Sequence, residues 1–135
     1  MKLQGGCLCG AMRYEIDGPL TEVDNCHCSM CRRFHGAAFA TYAKIDAGNF
    51  RWLSGQELLT VYESSPGKRW GFCRICGSSL GVPTDGKLSD LALALIEGDP
   101  GVRPTEHIFV GSKAAWHEIT DTLPQFEAWP PARAM

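Results

Sequence analysis

The sequence predicts a mostly β protein of one domain, organised around bound metal. Short runs of strand-favouring residues alternate with turn residues along the chain, and seven cysteines fall in three tight clusters. The chain has 135 residues, the size of one domain, and its 44% apolar content is enough for one core. We therefore predict a single zinc-binding domain over residues 1–135.

Eight segments have the composition of strands: residues 11–16, 38–45, 50–53, 57–63, 68–72, 78–82, 88–96 and 107–110. Turn residues separate them, as in Ser65-Pro66-Gly67 and Asp85-Gly86, where glycine supplies positive φ and proline fixes φ. Only residues 29–35 are predicted to form a short helix, with Ser29 as its N-cap.

The C-terminal residues 124–135 are rich in proline and alanine. We expect a partly loose tail there, in which Phe126 and Trp129 pack as apolar anchors, together with the nearby Trp116.

Charge and hydropathy exclude several classes of partner. The net charge of -2 gives no general basic field, so we expect neither a nucleic acid nor an anionic membrane as partner. The first residues lack the apolar core of a signal peptide, and the longest apolar run, residues 91–96, is too short to span a bilayer. We therefore expect a cytoplasmic protein, and the reducing cytoplasm keeps thiols available to metal. We expect it to be a monomer or a homodimer.

Two cysteine pairs have the spacing of metal-binding knuckles, in Cys7-Leu8-Cys9-Gly10 and Cys73-Arg74-Ile75-Cys76-Gly77. Thiolates this close in sequence can converge on one ion, and the glycine after each pair allows the backbone to turn amide groups toward sulfur. Brought together, Cys7, Cys9, Cys73 and Cys76 would form a closed four-thiolate zinc site. Iron in the same site, buried free thiols and a redox disulfide are the alternatives.

The central cluster, Cys26-His27-Cys28-Ser29-Met30-Cys31, has three cysteines and no fourth. Three protein ligands with one open position are typical of catalytic zinc. We therefore predict a reactive centre in which Cys26, Cys28 and Cys31 bind a labile zinc ion. A structural site completed by a histidine and a disulfide switch between Cys28 and Cys31 are the alternatives.

Nearby cations and histidines are candidates for substrate contacts. Arg32 or Arg33 would pair with a carboxylate of the substrate, and His35 or His27 would move a proton. Lys68, Arg69 and Arg74 are further candidates for a local anion site, against the alternative of a solvated face. His107 is predicted to be a hydrogen-bonded core or edge residue rather than a metal ligand.

Three further motifs accompany the cysteines: Gly36-Ala37-Ala38-Phe39, Ser64-Ser65-Pro66-Gly67, and Pro104-Thr105-Glu106-His107-Ile108-Phe109 with Trp116. In their order along nearly the whole chain, the cysteine clusters and these motifs resemble the family of glutathione-dependent formaldehyde-activating enzymes. The cysteine pattern is the most specific part of this resemblance.

The resemblance implies a β-tent fold with short antiparallel sheets around a structural four-cysteine zinc site. It implies that the first and last cysteine pairs hold the structural zinc and that the central three hold a catalytic zinc. It also implies the reaction, which is the addition of glutathione to formaldehyde to form S-hydroxymethylglutathione, a carbon-sulfur lyase activity. A different thiol or aldehyde fits the same residues. A non-catalytic zinc-binding interaction module and a thiol redox sensor are the alternatives from other functional classes.

Overall fold

The computed structural model describes residues 2–133 and is mostly β, as the sequence predicts. Within these residues lie ten strands: β1 Lys2–Gly6, β2 Arg13–Asp17, β3 Thr21–Cys26, β4 Ala40–Lys44, β5 Phe50–Ser54, β6 Leu59–Ser65, β7 Lys68–Cys73, β8 Ser79–Thr84, β9 Lys87–Ala92 and β10 Glu106–Ile108. The α-helix α1 spans Ser29–His35. Short 3-10 turns cover Ala47–Asn49, Gln56–Leu58, Leu93–Leu95, Val110–Ser112 and Pro131–Arg133.

The strands form two open sheets. The smaller sheet is antiparallel, in the order β1-β2-β5, and the larger has seven strands in the order β10-β3-β4-β9-β8-β7-β6. The larger sheet is antiparallel except at β10 and β3, which pair in parallel. The β8–β9 hairpin closes through Asp85 and Gly86, which both have positive φ, as a type I′ turn requires.

The main core lies between the sheets. Tyr14 and Ile16 of β2 and Phe50 of β5 pack from the smaller sheet against Leu80 and Leu91 of the larger one. These five side chains are almost fully buried. Burial of this kind supplies the main stabilising free energy of the fold, at roughly 25 cal/mol per Å² of apolar surface.

A second buried cluster lies on the larger sheet beside α1. Cys26 and Cys31 pack there against Tyr42, Trp70 and Ile108. Two of the predicted metal ligands thus sit within an apolar environment that fixes their side chains.

Two strands were not predicted from the sequence. Strand β1 contains a glycine pair, and β3 is polar over most of its length, so neither has the expected alternation. In β3, Asp24 and Asn25 are buried and satisfied by side-chain partners, Arg133 and Thr41. The predicted strand over 88–96 ends at Ala92, where a 3-10 turn begins.

The C-terminal segment is hydrogen-bonded along β10. The amide of His107 donates to the carbonyl of Pro124 at 2.9 Å, and the amide of Phe126 donates to the carbonyl of His107 at 2.9 Å. Arg133 then pairs with Asp24 and Glu106. Residues 134 and 135 of the predicted tail lie outside the described residues.

The expectation for the three aromatic anchors is only partly correct. Phe126 packs on the second cluster, but Trp116 is 75% exposed and Trp129 is 45% exposed. Across residues 2–133, no helix has both the length and the hydropathy that crossing a bilayer requires.

Candidate metal centres

The four outer cysteines meet where the turn after β1 approaches the end of β7. Gly10 and Gly77 adopt positive φ values of 80° and 75°, as the glycine positions predict. The amide of Gly10 donates to the carbonyl of Cys7, and that of Gly77 donates to the carbonyl of Cys73. These tight turns bring the sulfurs of both pairs to the same point.

The outer sulfurs have the spacing of a tetrahedral zinc site. All four lie within 4.8 Å of one another, with Cys7 Sγ 3.5 Å from Cys9 Sγ and Cys9 Sγ 3.9 Å from Cys73 Sγ. Zn–S bonds of about 2.3 Å in tetrahedral geometry separate the sulfurs by roughly 3.8 Å. The residues present therefore fit a four-thiolate zinc ion.

Polar groups surround the outer sulfurs. The amide of Met12 lies 3.3 Å from Cys7 Sγ, and the Ser78 hydroxyl lies 3.3 Å from Cys76 Sγ. The hydrogen bond with Ser78 lowers the pKa of the Cys76 thiol, which favours the thiolate that metal binding needs.

The three central cysteines come from the junction of β3 and α1. Cys26 ends β3, Cys28 is the N-cap of α1 and Cys31 lies in the first turn of the helix. The prediction that Ser29 caps the helix is wrong, because the Cys28 sulfur accepts the amide hydrogen of Cys31 at 3.2 Å. The sequence spacing of this cluster is thus set by a helix cap in which sulfur replaces the usual oxygen.

The central sulfurs also lie within 4.8 Å of one another. Across residues 2–133, no His, Asp or Glu ligand atom completes this group to four. Hydrogen bonds from Cys26 and then Cys31 lower the pKa of Cys28, which favours its thiolate form. Three soft ligands fit zinc and leave room for one external ligand.

A cavity of about 540 Å³ opens beside the central cysteines, which line it. Its floor is one face of the larger sheet, where Asp24 lies opposite Tyr42, and Asp90 lies opposite both Lys44 and Val82. The turn between β6 and β7 and the C-terminal segment form its walls, with Gly67, Lys68, Arg69, Trp70, Phe109, Trp129 and Arg133. Its size lies within the range of small-molecule sites, roughly 300–1,000 Å³.

The predicted substrate-binding residues of α1 lie apart from this lining. Arg32, Arg33 and His35 are not among the described residues that line the cavity. Arg32 is partly buried, and its Nε has no hydrogen-bond partner within residues 2–133, whereas Arg33 is exposed. His35 reaches the cavity indirectly, because its Nε2 lies 2.6 Å from the hydroxyl of Tyr42.

His27 points away from the sulfurs into a buried histidine pair. Its Nε2 lies 2.8 Å from His107 Nδ1, and Phe39 packs on its ring. Burial, and next the neighbouring His107, lower the pKa of His27 to about 4. His107 is thus hydrogen-bonded in the core, in agreement with its sequence prediction.

Comparison with known proteins places this arrangement in a family. Residues 2–112 match the family model described as glutathione-dependent formaldehyde-activating enzyme. The chain belongs to that family. A relative from Halomonas elongata, provisionally named a glutathione-dependent formaldehyde-activating enzyme, is 34% identical over 131 residues, covering 88% of this chain and 82% of the relative.

A solved structure shares the fold. The crystal structure of a Rhodobacter sphaeroides protein from a structural genomics programme matches with a TM-score of 0.53 and 30% identity, over 73% of this chain and 92% of that one. The resemblance to the formaldehyde-activating family stated from the cysteine pattern is therefore confirmed.

Several cavity residues were missed by the sequence argument. Asp24, Tyr42 and Asp90 come from different strands, and only the pairing register brings them to one face. The signal available in the sequence was local: Asp24 lies two positions before Cys26, so the two side chains share a strand face. Lys68 and Arg69, named as candidates for an anion site, do line the cavity.

Proposed function

We propose that the protein is a zinc-dependent enzyme that adds a thiol such as glutathione to a small aldehyde such as formaldehyde. The observation that carries this proposal is the difference between the two cysteine groups: four sulfurs form one closed set, and three line a cavity. Membership of the formaldehyde-activating family supports the choice of thiol and aldehyde. We include in the proposal a β-tent fold and a carbon-sulfur lyase assignment.

The two groups have different proposed roles. Cys7, Cys9, Cys73 and Cys76 would hold a structural zinc ion between the turn after β1 and the end of β7, and Cys26, Cys28 and Cys31 would hold the catalytic one. A zinc ion held by these three thiolates would act as a Lewis acid and make a bound substrate thiol more acidic. In the net reaction the thiol sulfur bonds to the carbonyl carbon, and the thiol proton ends on the carbonyl oxygen. No oxidant or reductant is required.

Tyr42 is the group that the geometry offers for the proton transfer. It lines the cavity, packs in the same cluster as Cys26 and Cys31, and is hydrogen-bonded to His35. Burial raises the pKa of Tyr42 and lowers that of His35, so both are neutral near pH 7. We propose that the Tyr42 hydroxyl donates to the oxygen that develops on the aldehyde carbon and that His35 holds it in place.

The test combines metal analysis with exchange kinetics. Zinc-loaded wild type should contain two zinc ions and the Cys26→Ser, Cys28→Ser, Cys31→Ser triple variant one, with the fold intact by circular dichroism. Magnetization-transfer NMR should show that only the wild type accelerates exchange between glutathione, formaldehyde and their adduct. One zinc ion in both proteins would contradict the catalytic centre and favour an interaction module or a redox sensor.

A further inference from the structure

The charged groups that line the cavity are mostly paired with one another. Lys44 lies 3.6 Å from Glu22, and Arg133 lies 2.9 Å from Asp24. In each pair, the two opposite charges are close enough to neutralise each other. Within residues 2–133, the lining residues Asp90 and Lys68 make no ion pair, and the lining residue Arg69 pairs only with Glu63, which is not among the lining residues.

Asp90 is a carboxylate on the floor of the cavity that lacks a direct partner. Across residues 2–133, its carboxyl group makes no hydrogen bond and no ion pair, and it is only partly exposed. Burial raises its pKa, and the nearby cation Lys44 opposes that effect. A partly buried carboxylate without a partner is unfavourable, and an ammonium group placed beside it would relieve that penalty.

Lys68 is an exposed lining residue in the first position of β7, which is separated from the strand of Asp90, β9, by β8 alone. Its ammonium group makes no ion pair within residues 2–133, and the adjacent Arg69 has only a long contact of 3.8 Å with Glu63. The rim therefore offers two cationic side chains to an anionic ligand group.

We infer that Asp90 and Lys68 are the residues of the cavity that determine its specificity for the thiol: Asp90 binds the ammonium group of glutathione and Lys68 binds its glycine carboxylate. This inference rests on the proposed function, since the thiol is the group that must reach Cys26, Cys28 and Cys31. Glutathione has one ammonium group and two carboxylates, so Arg69 is the natural partner of the second carboxylate. Simple thiols without these charges lack both contacts.

The wild-type protein alone gives the first test, with no risk from misfolding. Dissociation constants are measured by isothermal titration calorimetry on zinc-loaded protein for glutathione, N-acetylglutathione and glutathione with its glycine carboxylate converted to an amide. Loss of either charge on the ligand should weaken binding about tenfold or more, the usual effect of one charge-assisted hydrogen bond. Equal affinity for all three ligands would overturn the inference.

Variants then assign each charge to its residue. Asp90→Asn should weaken the binding of glutathione about tenfold. It should leave the affinity for N-acetylglutathione unchanged, because that ligand has no ammonium group for Asp90 to bind. Lys68→Gln should weaken the binding of glutathione about tenfold but leave the affinity for the glycine-amide ligand unchanged, because that ligand has no glycine carboxylate to lose. Asp17→Asn and Lys2→Gln, which remove the same charges outside the cavity, should bind all ligands like the wild type.

The outcomes separate this inference from the proposed function. If the wild type binds no thiol at all, the inference and the proposed function are both wrong. If it binds glutathione and catalyses exchange, but Asp90→Asn weakens glutathione and N-acetylglutathione equally, the catalytic proposal stands and the assignment of Asp90 is overturned.

Discussion

The imidazole rings of His27 and His107 are hydrogen-bonded to each other inside the protein, with 2.8 Å between His27 Nε2 and His107 Nδ1. His107 Nε2 lies 2.9 Å from the carboxylate of Asp121, which accepts a hydrogen bond from it. In the tautomer of His107 that carries its hydrogen on Nε2 alone, Nδ1 is the acceptor and His27 Nε2 is the donor. This series of hydrogen bonds connects the exposed carboxylate of Asp121 to His27, the residue between Cys26 and Cys28.

Replacing His107 with Ala should destabilise the protein and leave its metal content unchanged. The change opens a cavity and removes the partner of a buried nitrogen, so we expect a loss of about 2–4 kcal/mol. Denaturant unfolding at fixed free zinc measures the loss, and elemental analysis measures the metal. Asp121→Asn, which keeps an acceptor oxygen, should cost less, and loss of one zinc ion in His107→Ala would identify His107 as a ligand instead.

Replacing Arg133 with Gln should destabilise the protein more at pH 8 than at pH 5. Burial raises the pKa of Asp24 to about 6, although Arg133 opposes this shift. At pH 5 Asp24 is thus largely neutral, and Arg133 stabilises it little. At pH 8 Asp24 is charged, so removing Arg133 leaves a buried charge without its partner, at a cost of about 2–4 kcal/mol.

The matched control for this change is Arg103→Gln. Arg103 pairs with Asp99 in an exposed ion pair, which solvent screens, so its loss should change the free energy of unfolding little at either pH. Unfolding curves at both pH values give the comparison, and a pH-independent effect of Arg133→Gln would count against the role of Asp24.

Replacing Tyr42 with Phe should lower kcat with KM unchanged. The ring and its packing are kept, and only the hydroxyl beside His35 is removed. Loss of a general acid typically lowers the rate by about 100-fold or more. Initial rates of thiol-dependent adduct formation measure the effect. Tyr62→Phe, at an exposed tyrosine outside the cavity, should match the wild type, and a matching rate in Tyr42→Phe would remove Tyr42 from the mechanism.

Replacing Gly81 with Ala should destabilise the protein by about 3 kcal/mol or more. Gly81 has φ of 141°, and a Cβ there would clash with the carbonyl oxygen of Asp90 and lie 2.9 Å from Leu91 Cα. Gly98 is the control, because its φ of 70° is also positive but nothing lies within 4 Å of an added Cβ. Its replacement with Ala should cost about 1 kcal/mol in a thermal or denaturant melt. Equal losses would show that strain at positive φ, not the clash, dominates.

The sequence was most informative where the chemistry is local. Cysteine spacing divides the seven thiols into four and three, and glycine positions anticipate the two tight turns, because both depend on a few adjacent residues. Strand β3 was missed because its polar residues are satisfied by Arg133 and Thr41, which are distant in the chain.

The cavity lining depends on strand register and could not be read from neighbouring residues. Asp90 reaches the same face as Tyr42 only through the pairing of β4 with β9. Arg32 and Arg33 were favoured as substrate contacts because they follow Cys31 directly in sequence. The helix turns them away from the residues that line the cavity.

The two cysteine groups also differ in how much chain must be synthesised before each can form. Cys26, Cys28 and Cys31 lie within six consecutive residues, whereas Cys7 and Cys73 enclose a loop of more than sixty. Closing the longer loop costs more chain entropy, and it must wait until residue 76 has left the ribosome. During translation, all three central cysteines are therefore available before the outer set of four is complete.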